Sequence, residues 1–342
     1  MQFSRTNLTE FANRLGLSAS TVSRVLAGKG DAYRIAKKTQ ERVLIAARES
    51  GFVINQIARG LRMQRTNTIG IVVPDIGNPF FASLASGIER RAREQGYSIL
   101  LTNSEEDADV EIESVQLMLG RDVDGMIVAP VGDESAHLIA AARAAKRMVL
   151  VDRARSDLGI PSVVIDNHGG GGLAVQQLAG FGHQRIVCLQ GAPTNEANRE
   201  RVRGFLDGLV ALGLPHGNDQ ILGGIYSAEG GYDAMLEALE RRPRPTAVVA
   251  LGNLIALGAL RALRKAHMSV PEDISLISYD EQPWAEVISP PLTTIAQPIG
   301  ELGKNAFDLL LHSLPTIGDS ATRLVLPVSL IARRSVAAPP RL

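Results

Sequence analysis

The chain has 342 residues, 45% hydrophobic and 21% charged, too long for one ordinary core and suited to two or three globular domains. Its 36 Lys and Arg balance 36 Asp and Glu, yet residues 1–65 hold 12 of the bases and only 4 of the acids, so a basic head precedes an acidic body. No run approaches the roughly 20 apolar residues of a membrane span, no apolar leader opens the chain, and the single Cys188 excludes intramolecular disulfides, so a cytoplasmic protein with no membrane contact is expected.

The first informative stretch is LTEFANRLGLSASTVSRVLAG, residues 8–28. Leu8, Phe11, Ala12 and Leu15 recur at helical spacing, and Gly16 breaks that helix. Ser18 caps a second helix with an apolar stripe of Val22, Val25 and Leu26. Two short helices joined by a glycine turn make a helix-turn-helix, whose second helix enters the DNA major groove. Around the stripe stand Ala19, Ser20, Thr21, Ser23 and Arg24, short, hydroxyl-bearing or basic residues that suit close approach to phosphates and base edges. A plain helical hairpin with a solvated face fits the same residues; the basic head adds weight to a nucleic-acid partner.

A third helix is predicted from about Ala36 to Glu49, with Val43, Leu44 and Ala47 inward and Gly51 ending it. The polar loop before it, GKGDAYRIAKK, is long for a small helical domain. The segment INQIARGLRMQRTNT then offers a helix of about eight residues, too short to persist alone, and reads as a linker that folds on docking.

From Thr68 short apolar runs alternate with helical ones. Strands are predicted at 69–73, 97–101, 125–128 and 148–151, then in a second series at 162–165, 185–189, 247–250 and 274–278, with helices between them such as 80–95 and 298–313. Strand–helix alternation means parallel sheets covered on both faces. The expected fold is an all-α helix-turn-helix headpiece followed by a two-lobed α/β domain with a cleft. The run DNHGGGGLAVQQL (166–178) holds a loose dinucleotide fingerprint, but no acidic residue ends the next strand to hold a ribose. It reads instead as a helix N-terminus near a lobe crossover. Six scattered histidines, with no HExxH, CxxC, GxSxG or Walker loop, argue against a metal site and against an enzyme.

Three segments in order carry a resemblance: TEFANRLGLSASTVSRVLAG, then RTNTIGIVVPDIGNPFFASLASGIERRAREQGYSILLTNSEED, then VPEDISLISYD followed by PPLTTIAQP. From about Thr6 to Arg334 the chain resembles the lactose-repressor (LacI) family of bacterial transcription regulators. The resemblance implies a headpiece over 1–52, a linker with a hinge helix over 53–66, and an effector and dimerisation domain over 67–342 that looks like a periplasmic sugar-binding protein. Its N-lobe would cover about 67–163 and 291–323, and its C-lobe 164–290 and 324–342. It implies a homodimer on pseudo-palindromic operator DNA, a small-molecule effector, no cofactor, and repression relieved or imposed by allostery. Family tetramers use a C-terminal leucine-rich helix, and no leucine heptad follows residue 320 here, so a dimer is expected.

Carried over, DNA contacts fall on Ser18, Ala19, Ser20, Thr21, Ser23 and Arg24, with Arg24 the one long donor able to fork onto guanine. The hinge helix maps to 55–62, with Asn55 and Ala58 on DNA and Leu61 as a minor-groove wedge. Effector contacts fall on Asp75, Asn78, Phe80, Phe81, Arg153, Arg201 in NRERVRGF, Tyr226, Asn253, Asp280 and the only tryptophan, Trp284. Carboxylates and arginines hydrogen-bond the hydroxyl edges of a sugar, and rings cover its CH faces. Two departures bear on the ligand. Gly252 stands where the lactose repressor has a sugar-binding asparagine, and Asn195 and Ala197 replace polar contacts of the purine-binding relative, which favours a sugar or sugar acid over a purine. The rival readings are a solute-binding uptake protein and a sugar-converting enzyme using Asp75 and Asp280.

Overall fold

The computed structural model describes residues 7–52, 65–132, 135–144, 147–312, 318 and 321–340. Contacts divide the chain into two units, Met1–Asn67 and Thr68–Leu342.

The first unit contains α1 (Leu8–Arg14), α2 (Ala19–Leu26) and α3 (Lys37–Ser50). Asn7 and Glu10 form a reciprocal capping box at the start of α1. The Ser18 hydroxyl accepts from Thr21 N at 3.1 Å and caps α2. Between them Gly16 takes φ +62°, a left-handed turn that a side chain resists. Gly51, also at φ +62°, ends α3 and turns Phe52 flat onto Phe11, with ring centroids 4.1 Å apart. Phe11, Ala12, Val22, Val25, Val43 and Phe52 form the core. Leu44, expected inward, is exposed, because Val43, Ala46 and Ala47 occupy the inner face of α3. The predicted hinge helix, with Asn55, Ala58 and Leu61, lies outside the described residues.

In the second unit, one sheet runs β11 (Arg323–Leu326), β5 (Ser162–Ile165), β4 (Arg147–Val151), β3 (Gly125–Val128), β1 (Thr68–Val73), β2 (Ser98–Asn103). The other runs β12 (Ser329–Ile331), β10 (Thr293–Ala296), β9 (Ser275–Tyr279), β8 (Ala247–Ala250), β6 (Ile186–Gln190), β7 (Ile221–Gly223). Every pairing is parallel except β10 with β12. The inner strands are apolar runs buried on both faces, as parallel sheets require. Helices α4 (Pro79–Glu94), α5 (Ala108–Gly120), α6 (Ala136–Arg143) and α11 (Ile299–His312) cover the first sheet. The second is covered by α7 (Asn167–Gly180), α8 (Glu196–Ala211), α9 (Ala228–Glu240) and α10 (Asn253–Lys265).

Strand pairing departs from the expected division in three places. Residues 162–165, expected to open the second series, pair with β4 and β11 in the first sheet. Residues 293–296 pair with β9 in the second sheet, although the resemblance put 291–323 in the N-lobe. Residues 323–326 return to β5, so Leu324, Val325 and Leu326 sit in the first sheet and not in the C-lobe. The chain therefore crosses between the sheets after β5, after β10 and after β11. Four short strands, β7, β10, β11 and β12, went unpredicted because three or four residues carry too little periodicity.

The glycines of DNHGGGG serve helix packing. A Cβ on Gly171 would lie 2.3 Å from Arg201 O, and one on Gly204 only 1.9 Å from His168 O, so α7 and α8 touch backbone to backbone. His183 is a core residue: its ring nitrogens lie 2.9 Å from Thr246 Oγ1, 3.0 Å from Ser275 Oγ and 2.8 Å from Ala337 O. Burial holds its pKa below the usual histidine range.

Candidate functional site

Between the two sheets lies a cleft lined by residues from both lobes. Each sheet delivers one carboxylate to it. Asp152 follows β4 at φ +66° and Asp280 follows β9 at φ +70°. A left-handed backbone is uncommon for a non-glycine residue, asparagine and aspartate are among those that tolerate it, and such strain clusters at binding sites.

On the first-lobe side Asn78 caps α4 by accepting from Phe80 N at 3.0 Å, which brings Phe80 and Phe81 to the cleft wall. The two rings pack edge to face, with centroids 5.0 Å apart. Arg153 is buried and bound two-fold by the Glu106 carboxylate, at 2.6 and 2.8 Å. Burial works against its charge, but the Glu106 bonds outweigh it and raise the pKa further. Asp152 is pushed up to about 6, chiefly by burial, with Asp280 and Glu106 adding to the rise and Arg153 and Arg201 opposing it.

On the second-lobe side Arg201, inside α8, donates Nε to Asn167 Oδ1 at 2.7 Å and Nη1 to Leu251 O at 2.9 Å. Its guanidinium carbon lies 4.2 Å from the centre of the Tyr279 ring. Tyr226 fits where Gly191 and Gly252 leave room: a Cβ on Gly252 would lie 2.4 Å from the ring. The absence of a side chain at 252 thus seats the aromatic wall. The Tyr226 hydroxyl reaches Asn253 Oδ1 at 2.9 Å, and burial raises its pKa. Asn253 also donates Nδ2 to Asn78 Oδ1 at 2.9 Å, a direct bond between the lobes. Asp280 accepts from Asn253 N at 3.2 Å and from the Gln297 amide. It thus supports the first turn of α10 while lining the cleft, so capping and lining are not alternatives.

Phe80, Phe81, Arg153, Arg201, Tyr226 and Asp280, all named from sequence, meet in the lining. Asn78 and Asn253 stand directly behind it as the bridge. Asp75 does not line it; its carboxylate folds onto Gly77 N at 2.8 Å. Trp284 does not line it either and packs on the second-lobe core. Asp152, Asn195, Asn198 and Gln297 also line the cleft and were not named as effector contacts. Asp280 was named through the family resemblance; Asp152, like Asp280, directly follows a buried strand, and that position is the signal that could have found it. Gln297 lies in the PPLTTIAQP segment, but nothing in that segment singles it out; the β10–α11 crossover aims it inward. Asp152 Oδ1 and Gln297 Oε1 are buried without a hydrogen-bond partner among the described residues, an arrangement that calls for ligand donors.

On α2, Ser20 and Arg24 are exposed, Ala19, Thr21 and Ser23 half-buried, and Val22 and Val25 buried. Ser18 Oγ lies 2.9 Å from Ser20 Oγ and 2.8 Å from Thr21 Oγ1. Among the described residues no group of three His, Cys, Asp or Glu side chains could hold a metal, and no helix is long and apolar enough to cross a membrane.

A helix-turn-helix on a two-lobed α/β domain with a polar, aromatic-walled cleft defines a ligand-responsive transcription regulator. The chain belongs to the lacI family of bacterial regulatory proteins: residues 7–55 match that family and residues 66–334 match the periplasmic binding proteins and sugar binding domain of LacI family. It is 32% identical over 334 residues to the HTH-type transcriptional regulator DegA of Bacillus subtilis, covering 97% of this chain and 98% of the relative. A LacI family regulator from Enterococcus faecium, solved with bound ribose, is 34% identical, with TM-score 0.71 over 79% of this chain and 99% of that one. The lac repressor dimer bound to operator and an anti-inducer is 27% identical, with TM-score 0.85 over 98% of this chain and 100% of that one.

Proposed function

We propose that this chain is a cytoplasmic repressor of carbohydrate-utilisation genes that grips pseudo-palindromic operator DNA as a homodimer and is controlled by an uncharged sugar in the cleft. Residues 1–52 would read the operator through α2, with 53–66 as the hinge and Leu61 as its wedge, and the remainder would bind effector and partner subunit. The match to a dimer on operator supports the assembly.

The observation that carries the ligand is the charge balance of the lining. Asp152 and Asp280 line the cleft with Arg153 and Arg201, and Glu106, behind the lining, adds a third carboxylate that pairs with Arg153. Arg153 is already bound two-fold by Glu106, and Arg201 is shared between Asn167 and Leu251 O. A sugar acid would meet surplus negative charge, whereas hydroxyls can donate to Asp152 Oδ1 and Gln297 Oε1. Phe80, Phe81 and Tyr226 would cover the CH faces of the ring. The ribose-bound regulator, at 34% identity, supports an uncharged monosaccharide. Rotation of the lobes about the three crossovers would then alter the spacing of the two headpieces. The ligand is bound and not turned over.

Calorimetry with pentoses, hexoses and their aldonic acids tests the ligand, paired with gel shifts on genomic fragments. One neutral sugar should bind at micromolar strength or better, change DNA retention and be recovered intact. Preference for an acid would overturn the charge argument, and chemical conversion of the sugar would overturn the regulator reading.

A further inference from the structure

The long loop between α2 and α3 has a use at the DNA-reading face. At about 100° per residue, Ser20 and Arg24 each lie about 160° around α2 from buried Val22, on its outermost face. The guanidinium carbon of Arg24 sits 4.0 Å from the centre of the Tyr33 ring, and Tyr33 comes from that loop. Tyr33 is 50% exposed and lies outside the headpiece core, so its ring is not committed to packing there.

The loop under the ring is pinned. Lys29 N donates to Arg24 O and Ile35 N to Gly30 O, each at 2.9 Å. The Asp31 carboxylate takes Lys37 Nζ at 2.8 Å and Gln40 Nε2 at 2.9 Å. Gln40 also donates to Ile35 O, and it fits because a Cβ on Gly30 would lie 2.3 Å from its amide carbon. A loop closed this way presents Tyr33 as a fixed platform.

We propose that Tyr33 is a positioning residue for DNA reading, stacking on Arg24 so that its guanidinium is held ready for a guanine in each operator half-site. The inference rests on the proposed operator-reading role of α2. An exposed arginine samples many rotamers, and ordering it on DNA costs affinity. A ring beneath the guanidinium removes much of that freedom beforehand, and the planar cation suits stacking better than any other side chain.

The test uses full-length protein and a site selected from random DNA, alongside the same site with each guanine replaced in turn. Tyr33→Phe keeps the ring and should bind within twofold of the parent. Tyr33→Leu should weaken specific binding about two- to fivefold, the size of an exposed cation–π contact, and lower discrimination at the guanine read by Arg24. Non-specific affinity should not change. In an Arg24→Ala background, Tyr33→Leu should have no further effect. A loss that persists in that background, or an equal loss of non-specific binding, would assign Tyr33 a direct contact or a folding role and overturn the proposal. So would full affinity and discrimination in Tyr33→Leu. If Arg24→Ala itself kept both, the operator role of Arg24 would fail, and that of Tyr33 with it.

Discussion

Asp152 is the residue whose chemistry is most sharply set by its surroundings. Buried at the end of β4, it has a pKa of about 6 against an ordinary 3.8, so between those values the folded chain holds a proton that the unfolded chain has released. Its contribution therefore favours the fold below about pH 4 and is lost as pH rises through 6, by on the order of 3 kcal/mol. A ligand hydroxyl donating to Oδ1 favours the carboxylate, so effector affinity should rise from about pH 5 to 7 with release of protons. Calorimetry in buffers of different ionisation heat measures both. Asp152→Asn should remove that pH dependence and cost about tenfold in affinity. A parent affinity flat across this range would take Asp152 off the ligand.

At the scale of elements, the contact of α7 with α8 sets the position of Arg201. Gly204 faces His168 O and Gly171 faces Arg201 O, at distances no side chain tolerates. Gly204→Ala must push the helices apart. Such overpacking costs about 1–3 kcal/mol, and the displacement would pull Arg201 away from Asn167 and Leu251 O. The expected outcome is a lower urea midpoint and a weakened effector with operator affinity in the absence of effector retained. An unchanged urea midpoint would show that the helices separate freely.

At the scale of the whole molecule, the two units have separate cores, with Phe11, Val22 and Phe52 at the centre of one and the sheet clusters in the other. Removing residues 1–66 should abolish operator binding and leave effector affinity unchanged. Light scattering of the full chain should give twice its 36.6 kDa mass. Specific operator binding by the truncated protein would refute the headpiece assignment, and a mass near four chains would refute the dimer.

How much was legible in advance follows from the range of the signals. Helical spacing, Ser18, Gly16 and Gly51 are local, so α1 to α3 and their boundaries were readable from order alone, and the family motifs added the cleft residues that follow long strands. Eight strands were readable because each is a continuous apolar run. Leu44 was misplaced because Val43 and Leu44 are equally apolar, and only the packing of α3 against α1 and α2 chooses between them. The assignment of β5, β10 and β11 to sheets was beyond sequence, because pairing is a long-range hydrogen-bond choice that a short strand does not encode. The same holds for Gln297, for the Asn78–Asn253 bridge and for Tyr33 against Arg24. The sequence by itself determined the helix-turn-helix, the alternation of strands and helices and most of the chemical types gathered in the cleft. Tertiary structure alone decided which carboxylates face the cleft, that Glu106 already neutralises Arg153, and that Gly252 is space for Tyr226, because burial and charge balance exist only once distant segments meet.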